Sequence, residues 1–268
     1  MEKTDNYFSC LELPAMPLKP RATTLTCVED RGMSTGEATN LMESFGELID
    51  YMNICDHSGF TARYSADWFR RKLAIYHGHQ VKMQLGGLTF ELAVLQDKVR
   101  PLMEGLKELG FDCLEIVTQV IEPLPPKVRS SYIKMAQEIG LEPHTEVGKK
   151  HPTIPMDAGE AIRLIQSDLE AGATKVVLES AEIALLMKTD ITPLHKIVEA
   201  IGLDVLIFET GPYGWPEVAI HVIKSFGKEV NLANIDPPQV VVIDNMRRGM
   251  DRRVEHEFLT VRRGRVNP

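Results

Sequence analysis

A regular alternation of short β-rich runs with longer helical stretches constrains this chain more than any other feature. The runs are Thr23–Val28, Leu48–Asn53, Gln80–Leu85, Asp112–Val117, Leu141–Glu146, Lys175–Glu179, Asp204–Glu209 and Glu229–Asn234. Their starts fall roughly 25 to 35 residues apart, the length of one strand, one helix and two turns. Between them, apolar residues recur at helical spacing. The stretch from Leu92 through Leu102 and Leu106 to Leu109 keeps one apolar stripe and closes at Gly110. Ala158–Leu169 closes at Gly172, Pro193–Ala200 at Gly202, and Pro216–Phe226 at Gly227. A sheet whose every strand is followed by a helix is parallel. No glycine-rich nucleotide loop follows the first strand, which favours a closed (β/α)8 barrel of the TIM type over an open doubly wound sheet. The 268 residues fit one such α/β domain. Residues 1–21, with Pro14, Pro17 and Pro20, read as an extended N-terminal arm, and residues 22–268 as the barrel with a basic C-terminal tail.

A net charge of −8 argues against a nucleic-acid or membrane-surface partner. No apolar run is long enough to span a bilayer, and the N-terminus lacks the apolar core of a signal peptide, so a cytoplasmic protein is expected. Arginines nevertheless crowd the C-terminus: Arg247, Arg248, Arg252, Arg253, Arg262, Arg263 and Arg265. Two readings stand for them, a solvated final helix and tail, or a holder for an anion or an acidic neighbouring subunit in a homo-oligomer. Cys10, Cys27, Cys55 and Cys113 show neither metal-site nor disulfide spacing, and the last three read as small hydrophobes in or beside strands.

Reacting groups of a parallel barrel sit at the carboxyl ends of its strands. Those ends carry Glu29-Asp30-Arg31, Asn53, Gly86-Gly87, Glu115, Glu146 with Lys149 and Lys150, Glu179 with Glu182, Glu209, and Asn231 with Asn234. Strands four to seven thus each finish in or near a glutamate. Carboxylates on one rim repel, which implies a compensating cation, and Mg²⁺ suits oxygen ligands. Which of these glutamates would be ligands stays open at this point, since some could point at helices or solvent and pair with Lys or Arg. Gly148 permits a tight turn that brings a lysine of Glu146-Val147-Gly148-Lys149-Lys150 over the mouth as a proton donor or anion clamp. The bland alternative is a pair of solvated loop lysines. His57, His144 and His151 carry little weight, since a lone histidine is more often structural, and His77-Gly78-His79 reads as a turn on the opposite rim.

Several of these residues, in this order, resemble one family. Glu146-Val147-Gly148-Lys149-Lys150, Asp168-Leu169-Glu170-Ala171-Gly172-Ala173, Ile207-Phe208-Glu209, Val230-Asn231-Leu232-Ala233-Asn234-Ile235 and Arg247-Arg248-Gly249 look like phosphosulfolactate synthase, over about residues 20 to 251. Leu11-Glu12-Leu13-Pro14 with Lys19-Pro20-Arg21 is similar to the arm of bacterial members. The resemblance implies a (β/α)8 barrel and Mg²⁺-dependent addition of sulfite to phosphoenolpyruvate, giving 2-phospho-3-sulfolactate. It implies Lys150 as proton donor with Glu146 beside it, Glu146, Glu179 and Glu209 around Mg²⁺, and small anionic substrates held by Asp30, Arg31 and Arg248. Gly86, Gly87, Lys149 and Asn234 complete the expected substrate-binding set.

The chain departs from the family at the strand ends. The lysine expected after strand two is Asn53, and the arginine expected after strand six is Ala181. After strand four a Ser, Asp or Asn, and Gly pattern becomes Val117-Thr118-Gln119. Losing two charge-assisted contacts costs about 3–6 kcal/mol, or roughly two to four decades of rate. Either Lys82, Lys149 or His57 substitutes, or the barrel acts on a less anionic enol or enolate. A barrel kept without catalysis is the third reading.

Overall fold

Why the chain closes into a ring follows from the two faces of its strands. The computed structural model describes residues 10–55 and 63–261. Eight strands are present: β1 Thr26–Asp30, β2 Tyr51–Ile54, β3 Lys82–Leu85, β4 Cys113–Ile116, β5 Glu142–Val147, β6 Lys175–Leu178, β7 Leu206–Glu209 and β8 Asn231–Ile235. Each pairs in parallel with its sequence neighbour, and β8 returns to β1, so the sheet is a closed barrel in the order β1 to β8. This is the (β/α)8 barrel that the alternation predicts. Outward residues such as Val28, Met52, Leu85, Leu114, Ile116, Leu178, Phe208 and Leu232 form the main core with the surrounding helices.

The helices are α1 Thr35–Phe45, α2 Ala66–His77, α3 Gly87–Leu95, α4 Val99–Leu109, α5 Pro126–Ile139, α6 Ala158–Ala171, α7 Ser180–Lys188, α8 Thr192–Ile201, α9 Glu217–Phe226, α10 Val240–Arg247 and α11 Glu257–Thr260. A capping box between Ser34 and Glu37 starts α1. Left-handed glycines at Gly110, Gly140 and Gly172 end α4, α5 and α6. One expectation needs correction. The apolar stripe from Leu92 to Leu109 is two helices, α3 and α4, because Asp97 takes a positive φ and breaks the ladder between them. Among the described residues no helix is long and apolar enough to cross a membrane.

Inside the barrel, side chains alternate with the pleat, and this alternation builds the site. Cys27, Tyr51, Cys113, Val177, Ile207 and Ala233 form an apolar layer. Two residues further along five of these strands, on the same face, come Glu29, Asn53, Glu115, Glu179 and Glu209. The residues directly before each strand lie at the other end, the base. There Lys19 Nζ donates to the carbonyls of Gly46 (2.7 Å) and His79 (3.2 Å), and Arg21 pairs with Asp50 at 2.9 Å. The described part of the arm therefore packs against the base.

His144 lies one step below Glu146 on β5, fully buried, with its ring 5.2 Å from that of Tyr51. Among the described residues neither of its nitrogens has a hydrogen-bond partner. Burial, with Lys175 and Lys82 nearby, pushes its pKa down to about 3. An unfolded histidine titrates near 6.5, so the unfolded chain takes up this proton first as pH falls. Stability from this group is complete above about pH 6.5 and is lost as pH drops toward 3, by up to about 1.4 kcal/mol per pH unit. Urea titrations of wild type and His144→Phe at pH 7, 5.5 and 4.5 should show the wild type losing stability faster. Parallel losses would reject the assignment.

Candidate active site at the mouth of the barrel

Glu146, Glu179 and Glu209 converge at the carboxyl end of the barrel. Each offers a carboxylate oxygen, and these oxygens lie within 4.8 Å of one another. All three residues are buried, at 6%, 1% and 3% exposure. Burial first, and repulsion from Glu209 and Glu179 next, raises the pKa of Glu146 well above the usual carboxylate range. Glu209 is raised by burial and by Glu179. Burial works against the charge of Glu179 too, yet its pKa falls below the ordinary value. Lys150 attracts that charge, and the Ala181 N–H and Ser180 hydroxyl donate to the carboxylate.

Lys150 Nζ stands 3.2 Å from Glu179 Oε2. Its own burial disfavours the charge, but the surrounding carboxylates of Glu146, Glu209 and Glu179 hold its pKa far above that of a free lysine. The turn that delivers it depends on Gly148, whose φ is +124°. A Cβ there would lie 2.7 Å from the Glu179 Cβ and 2.9 Å from the Glu182 Cγ. Only glycine fits this approach without displacing the Glu179 and Glu182 side chains.

The remaining lumen is lined by amides that donate to acids. Asn53 Nδ2 donates to Glu29 at 2.9 Å, and Gln84 Nε2 to Glu115 at 2.5 Å. Gln119 Nε2 donates to both Glu146 and Glu179, at 3.1 Å for the latter, so its amide bridges two of the three acids. Its loop is held by Glu91, a buried residue of α3 whose Oε1 accepts the N–H groups of Gln119 and Val120, the latter at 2.9 Å. Neither Gln119 nor Glu91 stood out as a site residue in the sequence. The available signal was Gln119's place just past a strand that ends near a glutamate.

The structure brings together some of the expected substrate-binding residues. Gly86, Gly87 and Asn234 line the lumen with Glu146 and Lys150, and Arg31 joins Asn234, Lys150 and Glu209 around an outer cavity of about 250 Å³. Arg31 is also paired with Asp236 at 2.9 Å. Three others are placed elsewhere. Asp30 is fully buried on the outer face of β1, 2.6 Å from Lys72 and 2.5 Å from the Tyr76 hydroxyl, so it cannot meet a substrate in the lumen. Pleating explains this, since Glu29 faces inward and its neighbour must face out. Arg248 ends α10 at the base, where it donates to the Pro14 carbonyl and pairs with Asp244. A helix running antiparallel to its strand carries its last residues away from the mouth. Arg248 lines a separate cavity of about 650 Å³ there, with Pro14 and Lys228. The Lys149 side chain is exposed and lines neither mouth cavity; only its backbone N–H contributes, to Glu182 at 3.2 Å. Of the substitute cations, Lys82 is also at the base, paired with Glu142 at 2.5 Å, and His57 lies outside the described residues, as do Arg262, Arg263 and Arg265.

Residues 14–252 match the family model for (2R)-phospho-3-sulfolactate synthase. The chain belongs to the phosphosulfolactate synthase family. It is therefore an enzyme of the synthase or lyase type. Phosphosulfolactate synthase of Methanocaldococcus jannaschii is 30% identical over 84% of this chain and 91% of its own length. The synthase of Methanothermobacter thermautotrophicus is 29% identical over 87% and 91%, and that of Bacillus subtilis 26% identical over 91% and 97%. Among solved structures, dihydrodipicolinate synthase DapA-2 from Bacillus anthracis superposes with a TM-score of 0.56 at 11% identity, covering 91% of this chain and 79% of that one, a likeness of fold alone.

Proposed function

We propose that this member of the phosphosulfolactate synthase family catalyses Mg²⁺-assisted addition of sulfite to phosphoenolpyruvate, giving 2-phospho-3-sulfolactate. The juxtaposition of Lys150 with three buried carboxylates carries the reading. Glu146, Glu179 and Glu209 fit a hard divalent cation. Their oxygens approach closely, and a cation would relieve the repulsion that raises Glu146 and Glu209. When bound, the ion would supply positive charge for the substrate carboxylate as the enolate develops. The sulfite sulfur forms a bond to the methylene carbon as the carbon–carbon double bond breaks, and electrons move onto the adjacent carbon and its carboxylate. Lys150 gives its proton to that carbon and completes the addition. Glu179, hydrogen-bonded to Lys150, fixes the direction of the ammonium. The same reading places the enzyme in the cytoplasm with small anionic substrates, a compartment in which Cys10, Cys27, Cys55 and Cys113 stay reduced.

A second reading is favoured by the few cations around the lumen among the described residues, Lys150 and Arg31. Asn53 and Ala181 stand at strand ends, and Arg248 is remote. A less anionic enol carboxylate would suit these surroundings, with the same lysine and acids.

Incubation with phosphoenolpyruvate, sulfite and Mg²⁺, followed by mass spectrometry, should reveal a product heavier by one bisulfite. EDTA should abolish it. Calorimetric Mg²⁺ affinity should fall at least about tenfold in Glu209→Gln. Absence of both product and Mg²⁺ binding would overturn the first reading.

A further inference from the structure

A second cluster of ligand-type side chains lies inside the barrel, at the end away from the mouth. Cys113 and Glu142 open β4 and β5 and stand opposite each other in the ladder. His144 follows Glu142 on the same face. Cys113 sits one inward step below Glu115, and His144 one below Glu146. One atom from each residue, a sulfur, a carboxylate oxygen and an imidazole nitrogen, lies within 4.8 Å of the other two. Cys113 and His144 are fully buried, while Glu142 is half-buried at the rim of the base.

Two features separate this trio from a chance grouping. The first is the unmet demand of His144, whose ring nitrogens both lack a partner among the described residues although the side chain is sealed from solvent. Buried polar groups are otherwise hydrogen-bonded, and imidazole is the commonest metal ligand. The second is spacing. A tetrahedral zinc ion bonds sulfur at about 2.3 Å and nitrogen or oxygen at about 2.0–2.2 Å, which sets its ligand atoms about 3.4–3.6 Å apart. Cys113 Sγ and Glu142 Oε2 are 3.6 Å apart. Lys82 meanwhile holds Glu142 Oε1 at 2.5 Å, and so leaves the other oxygen for the sulfur's side, as an outer-shell partner does. Sequence spacing carries no sign of this, because the ligands meet across a ladder.

We propose that Cys113, Glu142 and His144 form a zinc site at the base of the barrel, with water from the Glu142 side in the fourth position. This holds whatever the mouth catalyses. Thiolate and imidazole select a borderline or soft ion, whereas the all-oxygen set of Glu146, Glu179 and Glu209 suits Mg²⁺. On binding, the Cys113 S–H bond breaks, its proton passes to solvent, and the sulfur takes the metal as thiolate. Ion, thiolate and carboxylate together are neutral, so Lys82 and Lys175 nearby face no net positive charge. The bound ion would fasten β4 to β5 beneath the reacting groups.

Cobalt(II) is the probe, because a thiolate bond gives it a near-ultraviolet charge-transfer band that oxygen and nitrogen ligands do not. The full chain, stripped with EDTA and kept reduced, should develop that band on titration with Co²⁺, and Zn²⁺ should erase it. Cys113→Ala should abolish the band, whereas Cys27→Ala, in the same apolar layer, should keep it. Glu142→Gln and His144→Phe retain the thiol and should weaken Co²⁺ binding, read from the band, at least about tenfold. Glu209→Gln should leave the band unchanged, which separates this ion from one at the mouth. Zn²⁺ should raise the Tm of wild type and not that of Cys113→Ala. Glu142 is at the rim, so its variant reads the site even where Cys113→Ala fails to fold. No band in wild type, a band that survives Cys113→Ala, or an affinity indifferent to both Glu142→Gln and His144→Phe overturns the proposal. So does a Zn²⁺-soaked crystal with anomalous density at the mouth glutamates alone and a water on His144.

Discussion

Lys150→Gln is expected to lower kcat/KM by about two to four decades while the protein still folds. Glutamine keeps most of the length and can still donate a hydrogen bond to Glu179, so the change removes charge and the transferable proton and little else. A positioned general acid contributes typically about 10²–10⁴-fold. The lysine is half-buried against acids and lies outside the main hydrophobic core, so urea stability should change by little. Removing it also leaves Glu179 buried without its ammonium partner, and binding of a cation at the three glutamates should tighten as a result. Steady-state kinetics in wild type and variant, with Mg²⁺ affinity measured alongside, checks both effects. A variant with wild-type kcat/KM on the substrate that wild type turns over would remove Lys150 from the chemistry.

The second large effect concerns stability. Lys72→Met is expected to destabilise the fold by about 3–5 kcal/mol, the usual cost of breaking a buried ion pair from one side. Lys72 on α2 and Asp30 on β1 are both fully buried, 2.6 Å apart, and Lys72 also donates to the Met33 carbonyl at 2.8 Å. Burial lowers the lysine's pKa and the Asp30 charge opposes that shift. Methionine fills the volume but, among the described residues, leaves the Asp30 carboxylate with the Tyr76 hydroxyl and the N–H groups of Gly32 and Met33. The double variant Asp30→Asn, Lys72→Met should recover a substantial part of the loss, since the uncompensated charge is gone. Urea denaturation of the single and double variants measures this. Equal stability of Lys72→Met and wild type would show the pair to be energetically neutral.

The barrel was legible because its periodicity is local. A strand followed by a helix ending in glycine leaves its mark within about 30 residues, and eight such marks need no long-range information. Strand ends were less legible: Thr24 takes a positive φ, so pairing in β1 begins at Thr26 and runs on to Asp30. Glu146, Glu179, Glu209 and Lys150 could be picked out because a parallel barrel sends every strand's last residues to one rim. Asp30 could have been turned outward from the same sequence, since Glu29 next to it had to face in. Its partner Lys72, 42 positions away on α2, had no such signature. Gln119 and Glu91 were hidden for a related reason. A loop's path depends on what anchors it, and here the anchor is a helix whose sequence reads simply as amphipathic.

The acids of the mouth are borne on or directly after strands that are hydrogen-bonded on both sides, whereas Arg31, Gln119, Lys150 and Tyr213 ride on the connections between strands and helices. Descent with modification can therefore edit the two separately. Point changes in the connections alter what is admitted and how its charge is met, at little risk to folding, while the carboxylate ring passes down with the scaffold. Laboratory evolution aimed at new acceptors would do best to randomise those connections and leave the staves of the barrel untouched.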